Sequence, residues 1–278
     1  MSEKSEPLMT FDQNVFSKDY DQSFTNTLVG RQQRDRVWQA IEPYLASGKP
    51  LKILELNGGT GEDALHFAKK GHEVLCTDLS SEMLQFAAAK KERFAPDTRL
   101  SFQTLNINQL SELPIDENYD LVFSNFGGLN CLSPQELKQL SQNLTTILKP
   151  NGIFIAVVMP PFCLLERLYF LLKLNLKRAF NKKGKTPSLV HVNGDQVATY
   201  FYSAATFYQF FKNNFHKQDA TLVGLIPSYL DPFFSKNKQW FQRIIKLEDR
   251  LIEKNSGVNI ADHYLIILKK RTEDRSLH

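Results

Sequence analysis

Apolar runs of strand length recur along the first 160 residues, most of them separated by segments with helical spacing. "LKILEL" (51–56), "HEVLCTD" (72–78), "LSFQTLNI" (100–107), "YDLVFSN" (119–125) and "IFIAVVM" (153–159) read as strands. Between them, "EDALHFAKK" (62–70) reads as a helix closed by Gly71, and "SSEMLQFAAAKKERF" (80–94) as a helix capped by Ser80 or Ser81. "SPQELKQLSQNLTTIL" (133–148) opens with a capping box from Ser133 to Glu136, and Pro134 takes the first helical position. Upstream, residues 26–45 place Val37, Ile41 and Leu45 at helical spacing, with charge opposite. This alternation predicts βαβ units, and so a doubly wound α/β fold with a mostly parallel sheet.

After Met159-Pro160-Pro161 the pattern changes. "FCLLERLYFLLKLNLKRAF" (162–180) is apolar nearly all round, and "NKKGKTPS" is a basic loop. "SAATFYQFFKNNF" (203–215) predicts a helix capped by Ser203. Two late strands, "DATLVGLIP" and "ADHYLIILKK", flank a long insertion, residues 228–257. That insertion predicts a helix with Trp240, Ile244 and Leu251 on one face. The "KPNG" stretch (149–152) reads as a turn into the fifth strand.

Composition adds little that is unusual. The 278 residues are 42% hydrophobic and 23% charged, with a net charge of +4, as for a soluble globular chain. A balance this mild argues against nucleic acid, which needs a concentrated basic face. Cys76, Cys131 and Cys163 have no metal-ligand spacing, so no metal is expected, and an odd count suits a reducing compartment. The polar N-terminus does not resemble a signal peptide, and no apolar run reaches the roughly 18 residues of a membrane span. A cytoplasmic protein is expected.

"LELNGGTGEDAL" (54–65) is a glycine-rich turn between a strand and a helix. Such a turn leaves backbone N–H groups and the positive helix end facing the crevice, and glycine lets a ligand approach closely. Asp78 closes the next strand, where a carboxylate reaches ribose hydroxyls. Turn and acid together point to an adenosine-containing cofactor. Gly59-x-Gly61-x-x-Ala64 also fits a dinucleotide fingerprint, so a nicotinamide-dependent oxidoreductase remains an alternative. Glu55 argues against it: a carboxylate there suits an ammonium and repels a pyrophosphate. Asn57 stands at the tight turn, where asparagine tolerates the left-handed region.

Residues 51–159 resemble the class I S-adenosylmethionine-dependent methyltransferases of the small-molecule type. "ILELNGGTGEDA" is similar to their first motif, "CTDLSSEMLQFA" to the second, "LNINQL" to the third and "YDLVFSNFGGLN" to the fourth; "LTTILKPNGIFIAVV" is similar to the loop and strand that follow. "FSKDYD" (16–21) resembles the segment that precedes the core in many members. The resemblance implies a seven-stranded sheet with an antiparallel last strand, a Rossmann-like methyltransferase fold, plus a helical cap. It implies S-adenosylmethionine as cofactor, held by Tyr20, Glu55, Asn57, Gly58, Gly59, Gly61, Asp78, Leu79, Met83, Asn106, Ile107, Ser124 and Asn125. Asn57 and Asn106 stand where the family carries a glycine and an aspartate.

The organisation expected is an N-terminal helical segment (1–45), a cofactor-binding core (46–160 and 215–272), and cap or substrate insertions (161–214 and 228–256). The cap's many leucines and phenylalanines suit a lid over a small hydrophobic substrate. Its basic loop leaves surface association with a membrane open. Phe126, Asn130, Tyr200 and Tyr202 are the candidate substrate contacts, the two tyrosines alternating on an expected cap strand. His191 and His263 are the candidate bases, because histidine titrates near neutrality. The reaction expected is methyl transfer to a hydrophobic metabolite, to oxygen before nitrogen or carbon, by a monomer or homodimer. A non-catalytic protein that binds the cofactor is the other alternative.

Overall fold

A computed structural model describes residues 21–46, 48–113, 118–180, 182, 187–192 and 195–272. A seven-stranded sheet is built from β1 (Lys52–Leu56), β2 (Glu73–Asp78), β3 (Leu100–Thr104), β4 (Tyr119–Ser124), β5 (Leu148–Val158), β8 (Phe215–Gly224) and β9 (His263–Lys270). A separate hairpin is formed by β6 (Ser188–Val192) and β7 (Asp195–Thr199). The sheet order is β3-β2-β1-β4-β5-β9-β8. Strands β1 to β5 run parallel, and β9 is antiparallel to both of its neighbours. The last strand of the chain thus slots between β5 and β8.

The period-two pattern explains why the central strands are apolar throughout. Ile53, Leu121, Phe123, Ile155, Val157, Leu265 and Ile267 pack on one face with Val37, Ile41 and Leu45 of α1 (Leu28–Leu45) and Ala64, Phe67 and Ala68 of α2 (Glu62–Lys69). Their alternates Leu54, Val122, Phe154, Ala156, Tyr264 and Ile266 pack on the other. There they meet Leu137, Leu140 and Leu144 of α4 (Pro134–Ile147), and Phe207 and Phe211 of α7 (Ala204–Phe211). Both faces are covered, so both must be apolar. The remaining Rossmann helix, α3 (Ser81–Phe94), follows β2.

Chain order reverses between β1 and β4, where Leu56 pairs with Ser124. Ligands of open α/β sheets bind at the carboxyl ends of the strands at such a switch point.

Three local expectations are corrected, and one apolar segment resolves into two helices. "KPNG" does not interrupt β5: the strand runs through it as an irregularity, with Asn151 at φ 64° and a register shift against Tyr119. The apolar segment after Pro161 breaks into α5 (Leu164–Leu172) and α6 (Leu176–Ala179). The late insertion forms α8 (Asp231–Lys236) and α9 (Lys238–Glu253): Ile244 and Leu251 pack against the core as their spacing predicts, beside buried Phe241 and Glu248, but Trp240 leaves that face and is exposed beside Arg243. Strand β7 ends at Thr199, so Tyr200 and Tyr202 lie beyond it and do not alternate on a strand. No helix among the described residues is long and apolar enough to cross a membrane.

Candidate functional site

The turn after β1 is built for close approach. Asn57 holds φ 48°, Gly59 φ 54° and Gly61 φ 75°. A Cβ on Gly58 would stand 2.4 Å from the Cys76 sulfur, and one on Gly61 2.7 Å from the Ala87 Cβ, so turn, β2 and α3 could not meet otherwise. A Cβ on Gly59 would meet nothing within 4 Å; that glycine serves the left-handed backbone alone. Asn57 points its amide across the switch point: its Oδ1 accepts from Ser124 Oγ (3.1 Å), and its Nδ2 donates to the Asn125 carbonyl (3.3 Å).

Asp78 lies against the same turn. Its Oδ2 accepts from Gly59 N–H and its Oδ1 from Ser80 N–H, both at 2.9 Å. Each oxygen keeps a lone pair for a further donor. Leu79, beside it, is exposed, and Met83 is buried at the start of α3. Asn106 and Ile107 stand at the end of β3, where Asn106 Oδ1 caps a short 3-10 helix through Asn108 N–H (3.0 Å).

Glu55 is buried beneath the turn, and its Oε2 has no partner. Burial, then the nearby Asp63 carboxylate, raises its pKa well above the usual carboxylate range, against the pull of Arg34. A buried, underpartnered carboxyl with a raised pKa is the group whose ionised form gains most when a cation arrives. Together with the open left-handed turn, that orphaned oxygen is what an adenosine cofactor bearing an ammonium would fit.

The segment after β4 carries the most strained backbone of the site. Phe126 has φ 42°, and Gly127 follows at φ 82°. Asn125 Oδ1 accepts from Phe126 N–H (3.0 Å) and its Nδ2 donates to Asp63 Oδ2 (3.0 Å). Asp63 also receives Trp38 Nε1–H (2.7 Å) and pairs with Arg34, tying α1 to the crevice. The Phe126 ring meets Phe24 edge-on at 4.9 Å, and Arg34 sits over it at 5.1 Å. Phe24 belongs to a π-helical turn, Asp21–Thr25, whose Asp21 accepts from Thr60 Oγ1 (2.7 Å) and pairs with Lys90 (2.5 Å).

On its remaining side Phe126 meets His263, edge-on at 5.5 Å. His263 is buried at the start of β9, and its Nδ1 lies 2.9 Å from Asp262 Oδ2. Burial alone would raise the Asp262 pKa, but His263, Lys182 and Gln33 outweigh it and hold the carboxylate ionised. Behind the dyad, Lys182 pairs with Glu166 at 2.5 Å, with both side chains largely buried.

Three candidate residues are withdrawn from direct ligand contact. Asn130 is fully buried: its amide donates to the Met159 and Tyr200 carbonyls and accepts from Met159 N–H. It is a strut between β5 and the chain leaving β7. Tyr202 is buried in the core with its hydroxyl on the Leu132 carbonyl (2.7 Å). Ser124 is fully buried and reaches the crevice only through Asn57. Tyr200 is half-buried and stacks on Tyr202 at 6.1 Å. Tyr20 lies outside the described residues, and of His191 only the backbone, in β6, is described. Sequence reasoning missed Asp262, although it precedes His263 directly, and read Lys182 only as part of a basic loop. It also missed Arg34 and Asp63, whose pairing spans two helices and leaves no local signal.

Residues 53–152 match a family described as "Methyltransferase domain". The chain is 30% identical over 191 residues to a demethylmenaquinone methyltransferase from Clavibacter sepedonicus, covering 67% of this chain and 69% of that one. A tRNA 5-carboxymethoxyuridine methyltransferase from Escherichia coli matches over 85 residues at 28% identity, 30% of this chain and 33% of that one. Among solved structures, an S-adenosylmethionine-dependent methyltransferase from Methanosarcina mazei shares the fold, with a TM-score of 0.59 at 17% identity over 84% of this chain and 98% of that one. The nicotinamide alternative falls with these matches. The glycine turn, the acid that closes β2, the strand order and the relatives agree, and the chain belongs to the class I S-adenosylmethionine-dependent methyltransferases.

Proposed function

We propose that this protein methylates a hydroxyl-bearing, hydrophobic small molecule, with His263 as general base and Asp262 as its positioning partner. The observation that carries the reading is the buried Asp262–His263 pair beside Phe126, at 2.9 Å and 5.5 Å respectively. An imidazole whose Nδ1 faces a carboxylate keeps Nε2 for a substrate proton.

The cofactor, when bound, supplies a methyl group on a sulfonium. The chain's own residues do the rest. Asp78 would accept from the ribose hydroxyls, Glu55 would face the ammonium, and Leu79, Met83, Asn106 and Ile107 would enclose the adenine. Gly58, Gly59 and Gly61 bring the backbone close. Phe24 and Phe126, in edge contact beside the turn, would exclude water from the reacting end of the crevice. His263 takes the acceptor's proton, producing the anion that attacks. A phenolate can react through oxygen or through a ring carbon, so one base serves either outcome. Oxygen is the first expectation.

The demethylmenaquinone relative supports an aromatic, apolar acceptor. The test is transfer of labelled methyl from S-adenosylmethionine to a panel of naphthols, hydroquinones, alkylamines and unmodified tRNA. Label on the hydroxylated aromatics is the expected result. Label only on amines or tRNA overturns the substrate class, and no transfer beside tight cofactor binding supports a non-catalytic binder.

A further inference from the structure

A second surface, remote in chemistry from the crevice, is formed by the corner between α5 and α6. Helix α5 buries none of its residues fully, although seven of its nine are apolar. Leu172 is 85% exposed, Leu174 88% and Leu176 62%, and Leu168 and Phe180 are about half exposed. Three leucines within five residues therefore stand in water at one bend.

The backbone at that bend adds an independent observation. Leu174 holds φ 53°, the left-handed conformation. It ends α5 through Leu174 N–H to the Leu171 carbonyl and Asn175 N–H to the Phe170 carbonyl, each 2.9 Å. This is the position where helices place glycine or asparagine, because a Cβ there crowds the following carbonyl. A leucine is the costlier choice, and its side chain is the most exposed leucine of the three, so packing does not repay it.

Charge identifies what covers the corner. From residue 167 to residue 194 the chain carries seven basic residues and no acidic one. Lys173, Lys177 and Arg178 are all exposed around the leucines. Lys173 lies over the Tyr169 ring at 4.6 Å, and Arg178 over Phe170 at 5.6 Å. The acid nearest in sequence, Glu166, is taken by Lys182. A second copy of the chain, seated two-fold on this face, would set these cations against themselves. Protruding leucines ringed by lysine and arginine fit a surface that is apolar at depth and anionic at its rim.

We infer that the α5–α6 corner docks the protein on an anionic lipid bilayer, with Leu172, Leu174 and Leu176 entering the acyl boundary and Lys173, Lys177 and Arg178 among the headgroups. The docking does not depend on which acceptor is methylated.

Flotation of the full chain with phosphatidylcholine vesicles, with and without phosphatidylserine, tests it. Expected is binding to the phosphatidylserine vesicles only, weakened by salt. Leu174→Asn keeps a residue that tolerates the left-handed turn, so it should fold with an unchanged or higher Tm yet bind about tenfold more weakly. Replacing Lys173, Lys177 and Arg178 together by Gln should weaken binding about 100-fold. Absence of binding to phosphatidylserine vesicles overturns the inference. So does binding that both variants retain, or concentration-dependent dimerisation that Leu174→Asn abolishes.

Discussion

Phe126 shows how single residues set this site. Its φ of 42° puts a bulky side chain in a region that costs roughly 1–3 kcal/mol, and the ring thereby bridges Phe24, Arg34 and His263. Asp78 works by ordinary means, holding the turn through Gly59 and Ser80 while keeping lone pairs free. Asp78→Ala should weaken binding of S-adenosylhomocysteine by about 1–3 kcal/mol in calorimetry, the cost of hydrogen bonds left unmade. Glu55 predicts a pH dependence. Burial raises its pKa in the free protein, and a bound ammonium lowers it, so binding releases a proton. Affinity for S-adenosylhomocysteine should therefore rise with pH between the bound and free values, by up to about tenfold per pH unit, and Glu55→Gln should flatten the profile. At this scale the sequence is read well where a residue acts through its own backbone. Asn57 is such a case, a residue tolerant of φ > 0 found at φ 48°. It is read poorly where a role depends on a partner far along the chain. Asn130 looked like a rim residue, and its carbonyl partners at Met159 and Tyr200 lie 29 and 70 residues away.

Elements were legible where the hydrophobic period was unambiguous. β1 to β5 and the helices between them follow the pattern because each strand is covered on both faces and each helix on one. The pattern was weaker in α5, where Leu165 and Tyr169 pack against the core while Leu168 and Leu172 stand in water, and in α9, where a buried carboxyl, Glu248, lies between the packed Ile244 and Leu251. Glu248 of α9 accepts from Leu225 N–H at 2.8 Å while its Oε2 has no partner. Burial pushes its pKa up to about 7. A carboxyl whose folded pKa is raised contributes stability that is fully present below its unfolded value, about 4.5, and lost as pH rises through the folded one. The difference is on the order of 3 kcal/mol. Thermal unfolding should show the protein less stable at pH 8 than at pH 5. Glu248→Gln, which keeps the acceptor for Leu225, should remove much of that loss.

At the scale of the whole molecule, the strand order β3-β2-β1-β4-β5-β9-β8 leaves one switch point, and the glycine turn, the strained segment after β4 and the start of β9 converge beside it. The cofactor side of this crevice was legible because its residues follow one another in short motifs. The side proposed for the acceptor was not, because β9 begins more than 200 residues after β1 and enters the sheet between β5 and β8. His263 could be suspected from its chemistry, but only the fold brings it to Phe126. The most direct measurement is therefore methyl transfer to a hydroxylated aromatic acceptor by wild type, His263→Ala and Asp262→Asn, with S-adenosylhomocysteine affinity measured alongside. The account predicts that kcat falls about 10²–10⁴-fold for His263→Ala and by a smaller factor for Asp262→Asn, with cofactor affinity unchanged in both. Full activity in His263→Ala would contradict it.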